Sequence, residues 1–240
     1  MHCAPDCFVG RVVFEVTKVS GIDQSSGRGA GIVLCGGRSR RMGVDKASLA
    51  LGRTTMLGRT LNAVRSVLQP VIVVAAAEQS VQGLPIGCEL IRDSLESPGP
   101  LAALAAALRT LSTQASFAFV TGCDFPLLQP GIIEALCDRL GSHDIVMCRD
   151  QGRLQPLLAV YRVDLAERLV QRHRNGRRDL RSLAEETDCV VVCSEELRTY
   201  DPELQSFWNV NTPSQHSRVL HAISGAGLVR EHGESLGREP

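Results

Sequence analysis

Residues 31–46 read GIVLCGGRSRRMGVDK: a short apolar run opens into a loop, residues 34–46, that carries three glycines, three arginines and one lysine. A strand ending in glycines and cations suits a loop wrapped around a polyanion. Glycine lets backbone N–H groups approach phosphate oxygens, and Arg and Lys neutralise the charge. A nucleotide is the first expectation. The stretch is not a P-loop, which needs Lys and Ser or Thr directly after its last glycine, because Gly43 is followed by Val44 and Asp45. Lys46 lies ten residues beyond Gly36, which gives the loop the length to cross a triphosphate. The plainer alternative is a solvated surface loop with stray arginines. Residues 27–31 read GRGAG, but they precede the first strand instead of following it, and the dinucleotide-fingerprint reading fails on that context.

Outward from this loop the pattern alternates at the spacing of crossover units. It predicts strands at 31–34, 71–76 and 88–91, with a helix over 56–68. A second, alanine-rich helix starts at Pro100 with Gly99 as its N-cap. Residues 116–122, SFAFVTG, form the near-continuous apolar run of a strand buried on both faces. A helix near Pro130 and a strand at 144–148 follow. QGR at 151–153 makes a turn into a hairpin partner at 156–162, which makes the otherwise parallel sheet mixed at this end. Helices at 163–173 and 180–186, a strand at 189–193, an irregular stretch at 207–211 and a helix at 213–223 complete an α/β domain over residues 30–224. Residues 1–29 are expected to be a mostly disordered extension, and 225–240 a mobile tail.

In 240 residues, 26 basic and 26 acidic side chains cancel. No global field draws the chain to nucleic acid or an anionic membrane, and phosphate binding must come from local clusters. No apolar run reaches membrane-spanning length, and the chain does not begin with a basic segment and an apolar core. The nine cysteines are scattered without the paired spacing of a zinc site, and read as reduced thiols of a cytoplasmic protein.

Several residues could carry chemistry. Asp124, in GCDFP, stands just past a buried strand, where a carboxylate beside phosphates suits Mg²⁺; the competing reading is an Asp that opens a turn before Pro126. Asp93 follows the strand at 88–91 and reads either as a reader of paired N–H groups on a guanine edge or as a helix cap. Five arginines in residues 172–181, Arg177 among them, read as a second phosphate site or as cations complementing a helix C-terminus. Asn209 and Asn211, in WNVNTP, offer two amides that can point the same way, although Thr212-Pro213 also reads as a helix start.

Taken together and in order, LCGGRSRRMGVDK, RDSLESPGPL, TGCDFP, NGRR and NVNTP resemble the molybdenum cofactor guanylyltransferases, over about residues 31–216. The Gly-Gly pair with Asp-Lys is closer to the guanylyl branch than to the cytidylyl branch. The resemblance implies a Rossmann-like three-layer sandwich of the nucleotide-diphospho-sugar transferase type. It also implies an enzyme that joins GTP to molybdenum-molybdopterin and releases pyrophosphate. Leu34, Cys35, Gly36 and Gly37 would contact GTP through their backbone, with Lys46 on its phosphates, Asp93 on the nucleotide and Asp124 on Mg²⁺. Arg177, Asn209 and Asn211 would lie on the molybdopterin side. Arg41, Lys46 and Asp124 would form the catalytic set. Protein partners that deliver molybdopterin, and molybdoenzymes that receive the product, belong to the same picture. The chain departs from the pattern at 75–77, where three alanines replace a frequent Asn. Rival readings are a cytidylyl- or sugar-nucleotidyltransferase on the same fold, and a nucleotide-binding protein that has lost turnover.

Overall fold

A computed structural model describes residues 28–35, 45–81, 83–93 and 99–231. Their core is a seven-stranded sheet. It contains β1 (Gly29–Leu34), β4 (Val71–Ala75), β5 (Cys88–Arg92), β6 (Phe117–Gly122), β7 (Ile145–Asp150), β8 (Arg153–Arg162) and β9 (Cys189–Cys193), in the spatial order β5-β4-β1-β6-β8-β7-β9. β8 alone runs antiparallel to its neighbours, and the other pairings are parallel. The expected mostly parallel, partly mixed α/β sheet is the observed one.

The central strands β1, β4 and β6 are buried on both faces, and the alternation along the sheet sorts side chains into two layers. On one face Val33, Val73, Phe119 and Val160 pack with Leu57, Leu61 and Val64 of α1 (Met56–Arg65) and Ile132, Ile133 and Leu136 of α3 (Pro130–Asp138). On the other, Ile32, Val74, Val120 and Tyr161 pack with Leu101, Leu104 and Leu108 of α2 (Pro100–Leu111). Leu169 of α4 (Ala166–Arg174) and Leu183 of α5 (Leu183–Glu186) complete that layer. Helix, sheet, helix is the three-layer sandwich.

Local chemistry explains the connections. Gln151 and Gly152 both take positive φ, 48° and 76°, as a two-residue hairpin turn between β7 and β8 requires. Pro156, which has no N–H to give a ladder, lies where the β7/β8 register shifts between Met147 and Cys148. Pro100 occupies the first turn of α2 after Gly99, as expected.

Three expectations need correction. Gly29, assigned to the extension, opens β1 opposite Phe117, because a residue without a side chain lets the Phe117 ring and Leu68 close over the strand. The last helix, α6 (Pro213–Glu231), passes the expected stop at Ile223, since Gly225 and Gly227 weaken a helix without ending it and no proline follows until Pro240. A short hairpin, β2 (Ala50–Leu51) and β3 (Thr54–Thr55), was not anticipated: two residues per strand are too few to show alternation. It carries a third apolar cluster of Leu51, Met56, Leu127, Val210 and Val219, under α6. The expectations for residues 1–27 and 232–240 lie outside the described residues. Among the described residues no helix is long and apolar enough to cross a membrane.

Gly31 shows how closely β1 and α1 approach. A Cβ there would stand 2.3 Å from Cγ1 of the buried Val64. Gly31→Ala is expected to lose ~1–3 kcal/mol in urea unfolding through overpacking, and Val64→Ala in the same chain should return part of that loss.

Candidate active site

The chain builds β1, β4 and β5 outward in one direction, then crosses back through α2 to place β6 on the other side of β1. Strand order therefore reverses between β1 and β6, and in open α/β sheets the crevice outside the carboxyl ends of such a pair is where ligands bind. β1 ends here at Leu34, followed by Cys35, and Asp124 follows β6 two residues after Gly122.

Three candidate residues meet in this crevice. Lys46 Nζ donates to Asn211 Oδ1 at 2.5 Å and lies 4.0 Å from Asp124 Oδ2. The Lys46 and Asp124 side chains keep 17% and 24% of their exposure, so the pair is sheltered yet open to a ligand. The backbone explains the convergence. Val210 N–H donates to the Asp124 carbonyl at 2.9 Å, which lays residues 209–211 alongside the turn after β6. The Asn211 N–H is taken by Gln215 Oε1 and His216 Nε2 meets the Ala50 carbonyl at 2.8 Å, anchoring α6 to the β2/β3 hairpin. Arg218 stacks on the Trp208 ring at 3.4 Å and steadies the same segment.

Gly122 shapes the Asp124 side chain. A Cβ at Gly122 would be 2.3 Å from Asp124 Oδ1, so the carboxylate folds back over the strand end through space that only glycine leaves. Burial pushes the Asp124 carboxyl above the usual aspartate range, and the Lys46 ammonium opposes that rise. The sign follows: the folded chain takes up the Asp124 proton at higher pH than the unfolded chain does. Ionisation of Asp124 thus weakens the fold as pH rises through the folded pKa, and a cation bound to the carboxylate offsets the loss.

Leu34 and Cys35 sit where expected, at the end of β1, with Cys35 N–H bonded to the Val74 carbonyl at 2.7 Å and Cys123 N–H to the Leu34 carbonyl at 3.1 Å. A hydrogen bond donated by the Cys123 thiol to the Cys35 sulfur, then burial, holds the Cys123 thiol well above its ordinary pKa, so it stays a neutral packing group. Asp93 lies at the end of β5, and its Oδ2 accepts the Gly99 N–H at 3.3 Å, bridging to the start of α2. The bond reaches the N-cap residue itself; among the described residues no side chain caps the first turn of α2. Gly36, Gly37 and Arg41 lie outside the described residues.

Arg177 stands apart from the Lys46 cluster. Arg109 at the end of α2 pairs with Glu167 at the start of α4 at 3.1 Å, so α4 runs back toward the carboxyl edge and delivers residues 172–181 there. The Arg177 guanidinium donates to Glu186 Oε1 at 2.6 Å. The buried Arg172 pairs with the other Glu186 oxygen and bonds Ser182 and the Asp179 carbonyl, while Arg181 bonds the Leu154 carbonyl. These arginines brace the turn after α4 as well as charging it, which one motif could not distinguish.

Sequence reasoning missed Gln79. At 75–77 the chain offers only alanine side chains, and the Gln79 amide reaches back to the Cys35 carbonyl and the Asp45 carboxylate. Its only signal was a polar pair, Glu78-Gln79, directly after a buried strand at the ligand-bearing edge.

Residues 31–192 match the family model described as a MobA-like NTP transferase domain. The chain belongs to this family. It is 33% identical over 206 residues to a probable molybdenum cofactor guanylyltransferase of Pelotomaculum thermopropionicum, covering 83% of this chain and 96% of that protein. A protein of the same name from Mycobacterium avium is 36% identical over 198 residues, with 80% and 95% covered. The crystal structure of molybdopterin-guanine dinucleotide biosynthesis protein A from Archaeoglobus fulgidus superposes with a TM-score of 0.70 at 27% identity, covering 82% of this chain and 99% of that one. The nucleotidyltransferase fold expected from the sequence is thus the observed one.

In a carboxyl-carbon NMR titration, Asp124 should titrate above the ~3.9 of an ordinary aspartate, and Lys46→Met should move it higher. An Asp124 value at or below ~3.9 in the unsubstituted chain would contradict the packing described.

Proposed function

We propose that the chain transfers GMP from GTP to molybdenum-molybdopterin, forming the guanine dinucleotide cofactor and releasing pyrophosphate. The observation that carries this reading is the Lys46–Asp124–Asn211 cluster at the switch point between β1 and β6. Relatives named molybdenum cofactor guanylyltransferase supply the substrate class.

A phosphate-monoester oxygen of molybdopterin attacks the α-phosphorus of GTP in line. The new P–O bond forms as the bond to the α,β-bridging oxygen breaks, and pyrophosphate leaves with the electron pair. The attacking group is already anionic, so the step needs positioning and charge neutralisation more than proton transfer. Backbone groups of Leu34, Cys35, Gly36 and Gly37 would contact the nucleotide, and so would Asp93, just past the end of β5. Lys46, with Arg41, neutralises the triphosphate. Asn211 holds the Lys46 ammonium from the far side, and Asn209 and Arg177 belong to the molybdopterin side.

Asp124 is the residue that would hold Mg²⁺. Its oxygen donor and its raised, burial-driven pKa fit a hard cation, and Mg²⁺ characteristically binds through one or two carboxylates plus substrate phosphates. Among the described residues no three His, Cys, Asp or Glu side chains converge into an all-protein cage. Bound there, Mg²⁺ supplies Lewis-acid charge to the phosphate oxygens. The reading also includes a cytoplasmic setting, a molybdopterin-delivering partner and a receiving molybdoenzyme.

Asp124→Ala should lower pyrophosphate release from GTP and molybdenum-molybdopterin by at least about 10²–10³-fold with an unchanged circular dichroism spectrum; near-normal turnover with Mg²⁺ would sink the assignment. Among GTP, CTP, ATP and UTP, GTP should give the highest kcat/KM. A CTP preference would make the chain a cytidylyltransferase instead, and binding without pyrophosphate release would make it a non-catalytic relative.

A further inference from the structure

Cys35 and Asp45 flank residues 36–44, and one side chain joins them. Gln79 Nε2 donates to the Cys35 carbonyl at 3.3 Å and to Asp45 Oδ1 at 2.7 Å, across 44 and 34 residues of sequence. Its Oε1 accepts the Ala76 N–H at 3.2 Å. Both amide hydrogens and the amide oxygen are therefore used, which no other side chain of this length can reproduce.

The amide is itself held firmly. Gln79 N–H closes a turn onto the Ala76 carbonyl at 3.0 Å. The carbonyls of Ala76 and Gln79 both accept from Arg92 Nη1, which fastens that turn to the end of β5. On the other side, Asp45 Oδ1 also accepts the Ala47 N–H at 3.0 Å, so the carboxylate spans the residue between them, Lys46. A continuous chain of bonds thus runs from β5 through Gln79 to Asp45 and the backbone on both sides of Lys46.

We propose that Gln79 is a positioning residue of the nucleotide site: its amide ties the end of β1 to Asp45 and thereby sets where the Lys46 ammonium meets the triphosphate. The inference rests on the GTP reading above. Gln79 is half-buried at the sheet edge, outside all three apolar clusters, so its removal costs the core nothing while it frees the Lys46 backbone.

The test compares Gln79→Met, which keeps length and removes every polar bond, with Gln79→Glu. Ionised, the glutamate lacks both donors and faces the Asp45 carboxylate; protonated, it regains one O–H donor toward Asp45. The charged groups around the position are Asp45, Lys46 and Arg92, with Glu78 adjacent and Asp124 beyond Lys46, and expressing each variant as a ratio to the unsubstituted protein at the same pH cancels their own titration. Binding of a fluorescent GTP analogue and steady-state kinetics should both show Gln79→Met weakening GTP about tenfold, with kcat within about threefold and the thermal midpoint nearly unchanged. The deficit of Gln79→Glu should shrink as pH falls from 8 to about 5.5, while that of Gln79→Met stays flat. Unchanged GTP affinity in Gln79→Met, or a lower thermal midpoint with normal affinity, overturns the positioning role and leaves the guanylyltransferase reading intact. A pH-independent deficit in Gln79→Glu overturns it too. If the unsubstituted protein prefers another nucleotide, the guanylyl reading fails, and the same affinity ratios measured with that nucleotide still decide the role of Gln79.

Discussion

A lysine ammonium and an aspartate carboxylate share a half-buried crevice at the one place where the order of the sheet reverses. Neither charge is comfortable there. Water is largely excluded from both, and a pair 4.0 Å apart is too loose to count as a tight ion pair. Asn211 takes up one side of the lysine, and Lys46 only partly opposes the rise in the Asp124 pKa that burial causes. The result is a site whose charges are short of partners, the condition under which polyphosphate and a divalent cation bind best.

The rest of the structure supplies the geometry for that arrangement. Two apolar layers clamp the sheet and hold the carboxyl ends of β1 and β6 side by side in register, Leu34 opposite Gly122. Glycine at 122 leaves room for the carboxylate to fold back, and the small cluster under α6 brings residues 209–211 across the crevice. Gln79 then draws the two flanks of residues 36–44 together from a third strand end. Each of these devices acts at the same edge of the sheet.

Much of this was legible in the residues. Apolar runs such as 116–122 read as strands buried on both faces, because they are short, aromatic and without an alternating polar face, and Gly99-Pro100 marks a helix start by its backbone chemistry. Asp124 stood out because charge directly after such a strand has no role in packing, and Lys46 because it ends a loop rich in glycine and arginine. The hairpin at 50–55, the bracing of Arg172, Arg177 and Arg181, and the link from Asn211 to Lys46 did not stand out. The hairpin has strands too short to show alternation, the arginines bond partners that no local pattern selects, and the Asn211–Lys46 link joins residues 165 apart. For Asp93 the sequence left two readings, and the observed bond runs to the N-cap residue Gly99 rather than to a first-turn N–H.

The sequence by itself determined the α/β alternation, the ligand-bearing edge and the residue types that serve a nucleotide, since periodicity, glycine and charge act locally. Only the tertiary structure decided that Lys46 rests on Asn211, that burial raises the carboxyl pKa of Asp124, and that Gln79 joins Cys35 to Asp45. Those depend on desolvation and on hydrogen bonds across 165, 44 and 34 residues, which exist once the strands have closed into one sheet.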